Sequence, residues 1–198
     1  FSISDEFKDL IINNSLFRCH IEDLIDYSLM RYETNYLSYD DLKLHGKYTT
    51  EDVMMVLNWS SRELPLNLGG YGEKDNACAI FVTYEKNDDR SESTQYPDEF
   101  IDRNHFKWIS RSGKNFSSAD LQSFINYKNN DVKFHLFIQK SKKDTDFYYI
   151  GQIDPENPVE TKMENNGKRF DIVMFEFKLH DIIDENLYDY FTTSIYEN

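Results

Sequence analysis

"LPLNLGGYGEKDNACAIFVTYE", Leu64 to Glu85, is where the chain changes character. Pro65 and the Gly69-Gly70 pair interrupt any regular element, and beyond them the apolar residues stop recurring every three or four positions and begin to alternate. Upstream, "ISDEFKDLIINN" and "HIEDLIDYSLMRY" have helical spacing with acids in their opening turns. "YTTEDVMMVLNW" predicts a third helix, with Thr49 and Asp52 in a capping box and Val53, Val56 and Leu57 as its buried stripe. Downstream, "CAIFVTYE", "HFKWIS", "KFHLFIQK", "DFYYIGQI" and "RFDIVMFEFKL" are short, β-branched and aromatic, as strands are. "PDEFIDR", "SSADLQSFINYK" and "HDIIDENLYDYF" read as helices set among or after them. Strands with inserted helices, without regular β-α alternation, predict an α+β domain on a curved sheet or small β-barrel with flanking helices, preceded by an N-terminal helical segment. The expected division is 1–45 as a helical connector and 46–198 as the domain proper.

The composition supports a real core. Of 198 residues 39% are hydrophobic and 16% aromatic, with 15 Phe and 14 Tyr against only 7 Gly and 4 Pro; that suffices for one ordinary domain and an appendage. Cys19 and Cys78 are too few for a disulfide framework and lack a zinc-site spacing, so reduced thiols and a cytoplasmic location are expected. No apolar run approaches a membrane span and no secretion signal opens the chain, so no membrane partner is expected. Phe at position 1 is expected of a segment of a longer protein.

A formal net charge of −14 argues against a phosphate backbone as partner. The acid, however, is at the ends. Residues 1–45 hold 4 basic and 9 acidic side chains, residues 154–198 hold 4 and 11, and the middle holds 14 and 16. Arg103–Ala119 and Val132–Lys143 contain no carboxylate, and each carries four basic residues, the second Lys133, Lys140, Lys142 and Lys143. They would form one positive patch if the fold brings them together, or two strands whose solvent faces use Lys.

Most catalytic patterns are absent. "LGGYGEK" has glycines without phosphate-loop spacing, there is no G-x-S-x-G elbow, and the five histidines show no i, i+4 pair. Asp154, Glu176 and Lys178 resemble the D…E-x-K set with which nucleases hold a divalent metal, and they define an alternative reading as a metal-dependent nuclease. Asp171 does not fit that set, since it lies on Glu176's own strand at odd spacing.

Alternation in "HFKWIS" puts Phe106, Trp108 and Ser110 on one face, and the strand runs directly into Ser110-Arg111-Ser112-Gly113-Lys114. Hydroxyls, backbone N–H groups and a guanidinium suit phosphate oxygens. An aromatic beside such a clamp suits a base taken out of the stack; a core position for Trp108 is the competing reading.

"GKYTTEDVMMVLNW", "NLGGY", "CAIFVTYEK", "YPDEF", "FKWISRSG", "HLFIQKS" and "DFYYIGQI", in this order, resemble the C-terminal domain, long of unknown function, of superfamily-two helicase proteins that carry a phospholipase-D-like nuclease, the SauUSI-like modification-dependent type IV restriction enzymes. The resemblance implies a PUA/SRA-like target-recognition domain that binds methylated double-stranded DNA and flips 5-methylcytosine, or its hydroxymethyl form, into a pocket. It implies no catalytic or metal-binding residue and no cofactor in this segment. ATP and a divalent metal would serve helicase and nuclease domains elsewhere in the same chain, which are then its partners.

The pocket follows from chemistry. A methylcytosine needs aromatic faces, an acceptor for its amino group and apolar room for the methyl. Trp108 and Tyr84 are the candidate sandwich, with Tyr71 as an alternative lid and Asp98 as the acceptor. Arg103, Lys107, Ser110, Arg111, Ser112 and Lys114 are the candidate phosphate contacts, with Lys86, Lys140 and Lys142 in support. A protein-interaction or regulatory module, docking through the acidic helical ends, is the second alternative.

Overall fold

The computed structural model describes residues 2–38, 41–59, 70–85, 98–165 and 167–193. The chain forms two compact units, Phe1–Lys43 and Leu44–Asn198. In the first, α1 (Asp5–Asn13) is opened by Ser4, whose hydroxyl accepts from Phe7 N, and α2 (Ser15–Asn35) by Asn14, whose side chain accepts from Phe17 N. Phe7 and Phe17 meet edge to face at 5.6 Å. A short pair, β1 (Tyr36–Ser38) and β2 (Asp41–Leu42), follows.

The second unit begins with β3 (Lys47–Tyr48) and α3 (Thr50–Val56). The capping box forms as the sequence dictates, with Thr49 N donating to Asp52 Oδ2 and Asp52 N to Thr49 Oγ1. The buried stripe shifts by one position: Val53 and Met54 are buried, whereas Val56 and Leu57 are half-buried.

The remaining strands are β4 (Tyr71–Lys74), β5 (Ala77–Glu85), β6 (Glu99–Phe100), β7 (His105–Ile109), β8 (Lys133–Ser141), β9 (Phe147–Asn165) and β10 (Lys168–Leu179). They form one open sheet in the order β4-β5-β8-β9-β10-β7-β6, and β3 pairs with β9. Among the described strands only β5 and β8 run parallel; between them in sequence lie β6, β7 and a broken helical segment of 3₁₀ turns at Ala119–Leu121 and Tyr127–Asn129 around α4 (Gln122–Ile125). The helix α5 (Glu185–Thr192) follows β10. The sheet is curved and does not close, so the barrel alternative falls away.

The strands β1, β2 and β3 were not expected, β9 runs on to Asn165 past the expected end at Ile153, and two further differences have identifiable local reasons. The Gly-rich break contains β4: Asp75 and Asn76 both take positive φ, the geometry of a two-residue hairpin turn, and β4 folds back on β5. Within "PDEFIDR" the described residues form no helix: Glu99–Phe100 is a two-residue strand, with Phe100 7% exposed in the aromatic core opposite Phe106, and the chain then bends. Asp102 then accepts from Asn104 N and His105 N, turning the chain into β7.

Two irregularities bend β9. Between its pairings with Leu136 and Phe137 it carries an extra residue beside Gly151, which sits at φ +117. A second bulge faces Met174 and Glu176 and includes Asn157 at φ +49, followed by Pro158. Bulges increase the local twist and bend the strand that carries them, so the sheet curves at the two points where the register of β9 shifts.

Aromatic rings fill the core. On one face Ile80, Val82, Phe106, Trp108, Leu136, Ile138, Val173, Phe175 and Phe177 pack with Phe124 of α4 and Phe191 of α5. The other face carries Phe81 stacked on Phe137 (5.0 Å) and Tyr149 beside Phe137. Each fully buried Phe contributes about 1.5–3 kcal/mol.

Lys140 is 5% exposed and donates to the carbonyls of Tyr190 and Thr193 at the end of α5, with Glu85 3.6 Å away. It therefore terminates α5 from β8, where unpaired carbonyls would otherwise face the core. Lys140→Ala should cost on the order of 3 kcal/mol, read as a lower denaturant midpoint with faster hydrogen exchange confined to α5; an unaltered midpoint would refute the anchoring role.

His135 is also buried, its Nδ1 2.9 Å from the Tyr149 hydroxyl. Burial, aided by Lys133, lowers its pKa to about 4. The unfolded chain binds a proton at this position below about pH 6.5 and the folded chain does not, so stability should fall as pH drops from about 6.5 to about 4. His135→Gln should flatten that slope in unfolding curves; an identical slope would assign it to other groups.

Candidate nucleic-acid interface

β7 is held against β10 by antiparallel pairing from Lys178↔His105 to Met174↔Ile109. The alternation of its sequence, buried at Phe106 and Trp108 and half-exposed at His105, Lys107 and Ile109, survives in the structure. Trp108 is 4% exposed. Its ring lies near-parallel to Phe124 (5.3 Å, 7°) and Phe177 (5.1 Å, 23°), and Tyr71 meets it edge-on at 5.4 Å. No face of the indole is open, so in this conformation a base cannot stack on it.

The other pocket candidates lie around it. Asp98, 8% exposed, accepts from the backbone N–H of Ile109 beside Trp108 (3.0 Å). Tyr84 is half-buried and packs on Phe100 and Phe191 rather than facing Trp108, so these two rings do not form a sandwich. Tyr71 is buried, and its hydroxyl donates to Asp120 (2.7 Å). Burial, then the Asp120 hydrogen bond, keeps its phenol far above the ordinary range, so it remains a donor.

The loop after β7 is tied down by its own groups. Ser110 is buried; its N–H donates to Val173 O and its hydroxyl accepts from Val173 N, which removes it from the phosphate contacts. Gly113 N and Lys114 N both donate to Asp171 O. Ser112 is exposed at the turn. The Arg111 guanidinium lies 4.2 Å from the Tyr71 ring centroid and donates to Tyr71 O.

Each basic side chain of the Arg103–Ala119 stretch has an acceptor or ring partner within the protein. Arg103 donates twice to Ile183 O and lies 3.8 Å from Glu185. Lys107 pairs with Glu99 across β6 and β7. Lys114 pairs with Asp120 at 2.8 Å, while Arg111 rests on Tyr71. Although burial opposes it, hydrogen bonds from Lys114 and Tyr71 hold the Asp120 carboxyl below its ordinary range. Glu99 and Asp120 are thus part of the site, and charge counting passed over them because both lie outside the basic clusters or beyond their ends.

The second basic stretch does not join the first. β8 runs antiparallel to β9, β9 to β10 and β10 to β7, so β7 and β8 point in opposite directions two strands apart. Ile138 of β8 sits opposite Tyr148, and Ile109 lies level with Val159, through Met174. That is 11 residues of β9, on the order of 35 Å of extended chain. Lys142 and Lys143 are exposed at the far end, and Lys140 is buried on α5, so it is not a phosphate ligand here. Lys86 lies outside the described residues.

The D…E-x-K residues share the outer face. Lys178 pairs in register with Asp154, but Asp154 bonds His180 at 3.0 Å and Glu176 accepts from Asn157 at 3.2 Å. Among the described residues no group of three or more His, Cys, Asp and Glu is placed to hold a metal ion. A cleft of about 390 Å³ opens at the second bulge, between Tyr127 and Pro158, with the Tyr127 hydroxyl 3.3 Å from Glu156. No helix among the described residues is long and apolar enough to cross a membrane.

The architecture has counterparts among solved structures. The DNA recognition domain of the cytosine modification-dependent restriction endonuclease LpnPI superposes with a TM-score of 0.50 at 13% identity, over 74% of this chain and 75% of that one. The DNA modification-dependent restriction endonuclease AspBHI matches at 0.49 and 11% identity, over 75% of this chain and 46% of its own. KRYPTONITE, in complex with mCHH DNA, a histone H3 peptide and SAH, matches at 0.45 and 13% identity, over 89% and 39%. The LpnPI likeness carries the fold: an SRA-like curved sheet with flanking helices. No curated protein matches the sequence. One family model does, over residues 42–191, and the chain belongs to that family, the domain of unknown function DUF3427.

Proposed function

We propose that this domain is the target-recognition module of a modification-dependent restriction enzyme, reading 5-methylcytosine or 5-hydroxymethylcytosine in duplex DNA by taking the base out of the stack. The observation that carries the reading is the shared fold with the LpnPI DNA recognition domain. Asp98 and Trp108 at the β6–β7 end support it, as they place a carboxylate acceptor beside an indole. Because the indole is covered by Tyr71 and Phe124, entry of a base requires those rings to part, and the few kcal/mol needed for unstacking and opening must come from stacking and phosphate contacts. Arg111 and Ser112 are the phosphate contacts on the turn. Helicase and nuclease domains of the same chain, using ATP and a divalent metal in the cytoplasm, would act on the DNA so marked.

A second reading applies to Phe1–Lys43, where Leu16, Leu24, Ile25, Leu29 and Met30 are each more than half exposed. An acidic, apolar helix of this kind suits docking on a basic surface of another domain.

Binding to methylated, hydroxymethylated and unmodified duplexes, with and without magnesium, tests the reading directly. Modified DNA should be preferred and left uncut; equal affinity for all three duplexes would defeat it, and magnesium-dependent cutting would favour Asp154, Glu176 and Lys178. Trp108→Phe should preserve the fold and weaken only the modified duplex, by part of the ~1–3 kcal/mol that removal of a stacking ring costs, whereas equal loss on both DNAs would leave Trp108 a core residue. Arg111→Ala should weaken both duplexes and flatten the slope of log K against log salt by about one unit; an unchanged slope would remove it from the interface.

A further inference from the structure

The cations of the interface stretch are engaged by the protein's own groups, and one of these contacts is arranged as a lock. The Asp120 carboxylate binds Lys114 Nζ through one oxygen at 2.9 Å and the other at 2.8 Å, and also takes the Tyr71 hydroxyl at 2.7 Å. The same Tyr71 ring carries Arg111 on its face. Lys114 and Asp120 are only partly exposed, at 27% and 34% of their side chains, which weakens screening by water and salt. Lys107 is neutralised in the same manner by Glu99 on the adjacent strand. Asp120 lies two residues before Gln122, the first residue of α4, on the 3₁₀ turn that buries Leu121, so its position is set by the core and not by a mobile side chain.

A protein that must find rare modified bases among many unmodified sites gains from suppressing contacts that carry no sequence information. Phosphate contacts are of that kind. A carboxylate that occupies a lysine beside the recognition site removes one such contact from every duplex, at the same cost to each, while leaving contacts specific to the modified base untouched.

We propose that Asp120 is an electrostatic brake on non-specific DNA binding: it holds Lys114 away from phosphate, so that binding depends on the modified base rather than on the backbone. The proposal rests on the DNA-binding reading of this domain. Lys114 is therefore withheld from the phosphate contacts in the native protein, and Asp120, which touches neither base nor backbone, lowers affinity for every duplex by the same factor, so that backbone contacts alone hold unmodified DNA too weakly to retain the protein.

The test is a double-mutant cycle on the 198-residue chain, with salt titrations on methylated and unmodified duplexes. Asp120→Asn keeps the acceptor for Tyr71 and the side-chain shape but releases Lys114. It should raise affinity for the unmodified duplex roughly tenfold at 50 mM salt and steepen the salt slope by about one unit. Lys114→Ala alone should leave the slope unchanged, and the double variant should return to it. Matching thermal midpoints for Asp120→Asn and the native chain establish that the fold is intact; a large drop in midpoint would make Asp120 a core-supporting residue and overturn the proposal. A slope unchanged in Asp120→Asn, or flattened by about one in Lys114→Ala alone, would also overturn the brake while leaving DNA binding in place. Absence of binding by both the native chain and Asp120→Asn would instead overturn the DNA-binding reading, and the brake with it.

Discussion

The pairing of β9 with β10 is the constraint on which the second unit depends. Its register runs from Asn165↔Lys168 to Ile153↔Leu179, and every other strand reaches the sheet through one of these two. β8 bonds to β9 on one side, β3 continues the line of β10 on the other, and β7 hangs from β10. Because side chains alternate with a period of two, a one-residue slip would turn Phe175 and Phe177 out of the core and Glu176 into it. Val173, through its N–H and C=O, also holds Ser110, so the same register sets the position of the turn that follows Trp108.

Much of this was legible in the sequence where local physics decides. The capping box of Thr49 and Asp52 forms because both partners lie within one turn, and the alternation of "HFKWI" persists because the sheet has one packed face there. "PDEFIDR" misled because a helical spacing of Phe100 competes with a tertiary opportunity, the aromatic cluster with Phe106, Tyr84 and Phe191. A two-residue strand has too little periodicity to announce itself. The hairpin turn at Asp75-Asn76 was present in the residue types, but the neighbouring glycines read as a break.

The candidate site was legible as a neighbourhood and not as a geometry. Tyr71 meets the Trp108 ring and Asp98 accepts from the N–H of the next residue, Ile109, yet Trp108 is enclosed by Phe124, a residue that sequence placed only on a helix. Counting charges located the basic stretch correctly and misjudged its strength, since a one-dimensional count cannot see that Glu99 and Asp120 fold back on Lys107 and Lys114. It also cannot see direction. Two acid-free stretches of similar composition lie on strands that run opposite ways, two strands apart.

The parallel seam between β5 and β8 has a consequence for how the chain folds. Ala77 lies opposite Lys133, so β5 and β8 meet only after a loop of 56 residues has closed, whereas β9 and β10 are neighbours in sequence. Closure entropy must be overcome before such non-local pairing contributes, which slows topologies of this type. The β9–β10 ribbon can therefore assemble first and serve as the template for β8, and the seam between β5 and β8 closes late. Until then the edge of "KFHLFIQK", buried from Phe134 to Lys140 in the finished sheet, is an exposed apolar strand, and it is the segment through which a stalled molecule would associate with another.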